Sequence, residues 1–187
     1  MKIGNSLRSR AGFTLIELLV VFFIIGIVGG ALFNNYRQGA SGALLRVAAQ
    51  DLSSGIRRAQ SAALSGQLYQ GSYMRDYRVF ITNSGTSFKI CATSFSDVNI
   101  NYCPNKIIES VELPRGVKVS DLNLGSIGTV SKADIVFPVP YANPSFVYGA
   151  SALTDSTNIL TIYLQNASGN TDSVFIQPIS GRIEVED

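Results

Sequence analysis

The chain has no histidine, no tryptophan, only two cysteines and few charges, with 15 Lys and Arg against 13 Asp and Glu in 187 residues. Each shortage removes a class of function. Without histidine there is no imidazole to act as a general base near neutral pH or to ligate a metal, and no G-x-S-x-G, P-loop or dinucleotide fingerprint takes its place. Gly125-Ser126-Ile127-Gly128 is an isolated glycine pair in weakly patterned sequence and carries no phosphate-binding signal. The expectation is a protein that is not an enzyme and holds no cofactor and no metal. A formal net charge of +2 supplies no basic field of the kind that gathers nucleic acid. Cys91 and Cys103 admit either one disulfide or two buried thiols. In an oxidising compartment the bridge would close a loop of about a dozen residues and add on the order of 2–3 kcal/mol.

What the chain does have is one long apolar run. Residues 13–33 make about 21 positions, roughly 31 Å as a helix, enough to cross a bilayer core. Thr14 and Glu17 are its only clearly polar side chains. A carboxylate at mid-bilayer costs about 2.5–3.5 kcal/mol or more, so Glu17 needs a cation. No second run is long enough to span, and Lys2, Arg8 and Arg10 precede this one. The expectation is a single-pass chain with a cytoplasmic N-terminus and an extracytoplasmic head. A cleaved secretory signal would have an apolar region of only about 7–15 residues, although small residues do follow at 39–43. A plain anchor accounts for the length and the flanking charge but not for Glu17.

Between Asn34 and Leu64 there is no proline, and apolar or small residues recur at Leu44, Leu45, Ala48, Leu52, Ile56, Ala59 and Ala63. That spacing predicts an amphipathic helix, continuous with the apolar run over 14–65 and stopped by Gly66. Any bend would have to come from Gly26, Gly29, Gly30, Gly39 or Gly42. From Tyr69 onward the period becomes two. Residues 77–81 and 87–91 flank the turn Asn83-Ser84-Gly85 and predict a hairpin. Further strands are expected at 106–113, 117–119, 134–137, 158–164, 173–177 and 182–184, with the turn at 166–170 joining those around Ile159 and Val174. Segments 114–116 and 138–144 read as loops. The fold class is α+β, an antiparallel sheet packed on the second half of a long N-terminal helix. The divisions are 1–12, 13–35 (membrane half), 36–66 (amphipathic half) and 67–187 (β-rich head).

The start of the chain carries a resemblance. A short basic leader ending in Gly12, followed by Phe13-Thr14-Leu15-Ile16-Glu17-Leu18-Leu19-Val20-Val21, resembles the prepilin signature of type IV pilins and type II secretion pseudopilins. The resemblance implies a pilin-like fold and a membrane aspartic peptidase that cuts between Gly12 and Phe13 and methylates the new amino group. It implies that Glu17 pairs with the N-terminal amine of a neighbouring subunit and so sets the axial step of a filament. Glu17 lies one helical turn after Phe13, so pairing with its own amine or helix dipole is physically available too. The implied partners are the prepilin peptidase, other pilin or pseudopilin subunits and an inner-membrane assembly platform. The implied location is the inner membrane, then a filament.

Ile56-Arg57-Arg58-Ala59-Gln60-Ser61-Ala62-Ala63, a strand near Val79, and the closing run from Phe175 through Ser180-Gly181-Arg182 to Val185 are similar to GspH/FimT-type minor pseudopilins. In those a Ser-Gly-Arg turn joins the last two strands. The calcium-loop acids of a major pseudopilin have no clear counterpart. Some FimT-like subunits bind DNA through an arginine-rich tail, which makes a DNA- or ligand-binding subunit at a filament tip the alternative function. Here Arg182 is followed by Glu184, Glu186 and Asp187, so repulsion opposes phosphate. The expectation is Arg182 in a turn, with Ile183 and Val185 facing inward. Arg57-Arg58 and the Arg75/Arg78 pair read as solvated faces. Tyr69, Tyr73, Tyr77, Tyr102, Tyr141, Phe146 and Tyr148 read as core or loop packing.

Overall fold

The computed structural model describes residues 14–95, 103, 106–148, 151–153, 158–178 and 180–186, the side chains of 31–40, 148 and 151–153 excepted. The chain divides into two compact units, Met1–Gly39 and Ala40–Asp187. One 50-residue helix, α1 (Leu15–Leu64), supplies residues to both. In the first unit every described side chain is exposed, from Leu15 at 83% onward. No helix among the described residues is long and apolar enough to cross a membrane. The crossing expected over 13–33 begins and ends outside the residues whose side chains are described.

The second unit is built on the amphipathic half of α1. Leu45, Ala48, Ala49, Leu52, Ile56, Ala59 and Ala63 are buried at steps of mostly three and four, whereas Leu44 faces outward. The helix ends in a Schellman motif. The N–H of Gln67 donates to the Ala62 carbonyl and that of Gly66 to the Ala63 carbonyl, with Gly66 at φ +60°. The expected stop at Gly66 is therefore where the helix ends.

The small residues on the buried face let the sheet approach closely. Gly55 is buried, and a Cβ there would overlap the Phe88 ring, with Cζ only 2.8 Å away. Gly55→Ala is expected to destabilise the unit by about 1–3 kcal/mol from overpacking, although alanine is the better helix former by about 1 kcal/mol. Thermal melts of Gly55→Ala with and without Phe88→Leu check this. Relief by the second change is the expected result.

Among the described residues eleven strands follow: β1 (Met74–Thr82), β2 (Ser87–Ser94), β3 (Ile107–Glu112), β4 (Val117–Leu124), β5 (Gly128–Thr129), β6 (Lys132–Pro138), β7 (Ser145–Tyr148), β8 (Ser151–Leu153), β9 (Leu160–Asn166), β10 (Thr171–Ile176) and β11 (Ile183–Glu186). They form two antiparallel sheets, ordered β3-β2-β1-β6-β7-β8 and β11-β10-β9-β4-β5, rather than the single sheet expected. The β1–β2 hairpin closes at Asn83–Gly85, and the 166–170 turn joins β9 to β10. Asn166 holds that turn. Its Oδ1 accepts the N–H groups of Ser168 and Asn170, and its Nδ2 donates to the Ser41 carbonyl of α1.

Strands β5, β7 and β8 were not expected. They span two to four residues, too few to show a period of two. The closing strand pairs with β10 over 183–186 rather than the expected 182–184, and Val185 is 41% exposed while Ile183 is buried, so only one of the two faces inward. Gly181, at φ +61°, turns the chain between the two strands.

Candidate processing and assembly site

Gly12 and Phe13 lie outside the described residues, as does Tyr102. Thr14 and Glu17 open α1. The Glu17 N–H donates to Thr14 Oγ1 at 3.3 Å and the Leu18 N–H to the Thr14 carbonyl at 3.2 Å, so Thr14 acts as N-cap. Thr14-x-x-Glu17 is the capping-box pattern, a signal present in the sequence that its reading did not use. Glu17 thus does two things. It places a carboxylate at the positive end of the helix dipole, and it remains exposed among Leu15, Ile16 and Leu18, themselves exposed.

The second polar centre lies in the head and corrects the expectation for Arg78. Its guanidinium is 3% exposed on β1, not solvated. Nε donates to Asp76 Oδ1 at 2.6 Å and Nη1 to Asp134 Oδ2 at 3.0 Å, while Arg75 Nε holds Asp76 Oδ2 at 2.8 Å. Asp76 sits two residues before Arg78, on the same face of β1, and β6 brings Asp134 alongside. The acid at that spacing was the available clue. Cys91 lies opposite Arg78 on β2, and its disulfide to Cys103 ties chain to the same face.

Desolvation alone would lower the pKa of Arg78, but the hydrogen bonds and charges of Asp76 and Asp134 outweigh it and raise it. Burial pushes Asp134 up to about 6 despite the Arg78 charge. Among the described residues, Asp134 Oδ1 has no hydrogen-bond partner. The tight pair is therefore Arg78 with Asp76, and Asp134 is the acid whose charge is disfavoured. Because its folded pKa lies above the ordinary aspartate value of 3.8, its protonation stabilises the fold below that value. The stabilisation is lost as pH rises through about 6. Asp134→Asn is expected to gain stability over wild type at pH 7.5, by on the order of 2–3 kcal/mol at most, and to lose that advantage at pH 4. Chemical denaturation at the two pH values checks it.

Among the aromatics, Tyr77 and Phe146 are core residues, while Tyr73 and Tyr141 are exposed. The Tyr77 hydroxyl donates to the Gln67 carbonyl, and burial raises its pKa. Arg182 pairs with Glu184, and Arg58 with Glu109 at 3.2 Å.

The family model for the prokaryotic N-terminal methylation motif matches residues 7–33. The motif marks a type IV pilin- or pseudopilin-like subunit of the kind processed by a prepilin peptidase and assembled with other pilins, a structural rather than an enzymatic class. The α+β architecture, with its N-terminal helix and two antiparallel sheets, is consistent with that class. No curated protein and no solved structure matches the chain.

Proposed function

We propose that this chain is a non-enzymatic subunit of an envelope-spanning filament, a minor component of the GspH/FimT type in a type II secretion pseudopilus or a type IV pilus. The observation that carries the proposal is the methylation motif over residues 7–33 at the head of a helix whose later turns pack on a β-rich head. In this reading the precursor is a single-pass inner-membrane protein, cut between Gly12 and Phe13 and methylated there. The exposed apolar side chains from Leu15 to Val28 are covered first by lipid and then by like helices, which exchange one apolar surround for another at small net cost.

Register comes from Glu17. In an apolar surround its carboxylate takes the neighbouring subunit's Phe13 amine as counter-ion, and a pair in low dielectric is costly to break. Glu17→Leu is expected to leave the precursor cleaved but to lower its incorporation into filaments on the order of a hundredfold. Immunoblots of sheared filament fractions against membrane fractions measure this. Normal incorporation of the Leu variant would remove Glu17 from assembly. Capture of DNA at a tip gains no support from the closing strand, where the one arginine is paired and Glu184 and Glu186 follow.

A further inference from the structure

We propose that Thr14 is a positioning residue for cleavage: by capping α1 it keeps the Gly12–Phe13 bond out of the helix, where a peptidase can take it. The inference rests on the filament-subunit reading above and concerns how that precursor is presented for processing. Hydrolysis adds water across the bond, leaving a carboxylate on Gly12 and an amine on Phe13. The Gly12 carbonyl oxygen must therefore be free for the enzyme's own donors, and its carbon open to the attacking water. Inside an α-helix neither holds, because the oxygen is bonded to the N–H four residues on and the carbon is enclosed by the turn.

The two states compete for a single donor. Were α1 to extend upstream by one turn, the Gly12 carbonyl would take the Ile16 N–H and the Phe13 carbonyl the Glu17 N–H. The structure gives the Glu17 N–H to Thr14 Oγ1 instead, at 3.3 Å, while the Thr14 carbonyl accepts the Leu18 N–H at 3.2 Å. The hydroxyl thus holds the partner that the Phe13 carbonyl would need, and α1 begins at Leu15.

The neighbouring sequence supplies no other stop. Leu15 to Val21 are all compatible with a helix, Ala11 is a strong helix former, and Gly12 weakens a helix without ending it. A capping hydroxyl is a boundary marker of sufficient strength, since the two helix starts compete for one donor. The same cap serves the next step. Once the bond is cut, the Phe13 amine stands one residue ahead of the cap rather than within a turn, free to be methylated and to pair with the neighbouring subunit's Glu17.

The test follows cleavage of the full-length precursor in detergent by membranes that contain a prepilin peptidase, as initial rates below saturation. Thr14→Val keeps the branched shape but loses the hydroxyl, and is expected to be cut about tenfold more slowly. Thr14→Ser keeps the hydroxyl and is expected to stay within about twofold of wild type. A second background separates positioning from direct recognition of the side chain. In Leu15→Pro the residue before proline is disfavoured from helical geometry, and proline fits the first helical position, so the boundary no longer depends on a hydroxyl. The Thr14→Val penalty is expected to fall to about twofold or less in that background. Melting of the head is expected to be unchanged in every variant, because Thr14 lies in the other unit. Three results overturn the proposal: a penalty that persists undiminished in the Leu15→Pro background, a Thr14→Ser variant as slow as Thr14→Val, or Thr14→Val cut at the wild-type rate. Each leaves the filament reading standing as long as the wild type is cut between Gly12 and Phe13. A wild type that is not cut there overturns both.

Discussion

Arg78→Met is expected to destabilise the head by about 3–5 kcal/mol, a fall in melting temperature on the order of 10 °C. The side chain is 3% exposed and is the only group bonded to both Asp76 and Asp134 among the described residues. Methionine keeps most of the volume but removes the charge. Asp76 retains Arg75, so the cost falls chiefly on Asp134, which is left buried and uncompensated. That acid already favours its proton, with a pKa pushed up to about 6. Loss of the Arg78 charge removes what holds that value down, so Asp134 in the variant goes neutral at higher pH than in the wild type, and the penalty should shrink as pH falls toward about 6. Adding Asp134→Leu to Arg78→Met should recover part of the loss at neutral pH, since an apolar replacement leaves no orphan charge. A variant as stable as wild type at pH 7.5 would mean that water reaches the cluster.

Gly12→Val is expected to leave the leader attached and lower the rate of processing by roughly a hundredfold, because a peptidase site shaped to the glycine backbone has no room for a branched side chain. The precursor should accumulate in the membrane at its full length, with the head folded, since Gly12 lies outside the head unit. Pulse labelling and gel mobility distinguish this from degradation. Cleavage at the wild-type rate would take the glycine out of the recognition element.

The helix and its stop were readable because their signals are local. Small and apolar residues recur at three and four, and Gly66 follows the last of them with its left-handed φ. The hairpin at Asn83–Gly85 and the turn at 166–170 were readable for the same reason: each carries its own turn residues between alternating runs. Two sheets in place of one were not, because strand partners are set by contacts between residues far apart in sequence. β4 pairs with β9, and β1 with β6. Arg78 was misjudged because an arginine on a strand is ordinarily solvated, and its second partner, Asp134, lies 56 residues away. The need for glycine at Gly55 is not legible locally because the Phe88 ring it accommodates is on another element. Thr14 is different. Its capping pattern with Glu17 is local and legible in the sequence.

The central claim is that this chain is a processed filament subunit whose first residue is made by proteolysis. Mass spectrometry of the wild-type protein, produced in cells that contain a prepilin peptidase, tests it most directly. The account predicts an N-terminal peptide that begins at Phe13 and carries one methyl group on its amine. A mature protein that begins at any other residue, or that keeps Gly12, would contradict it.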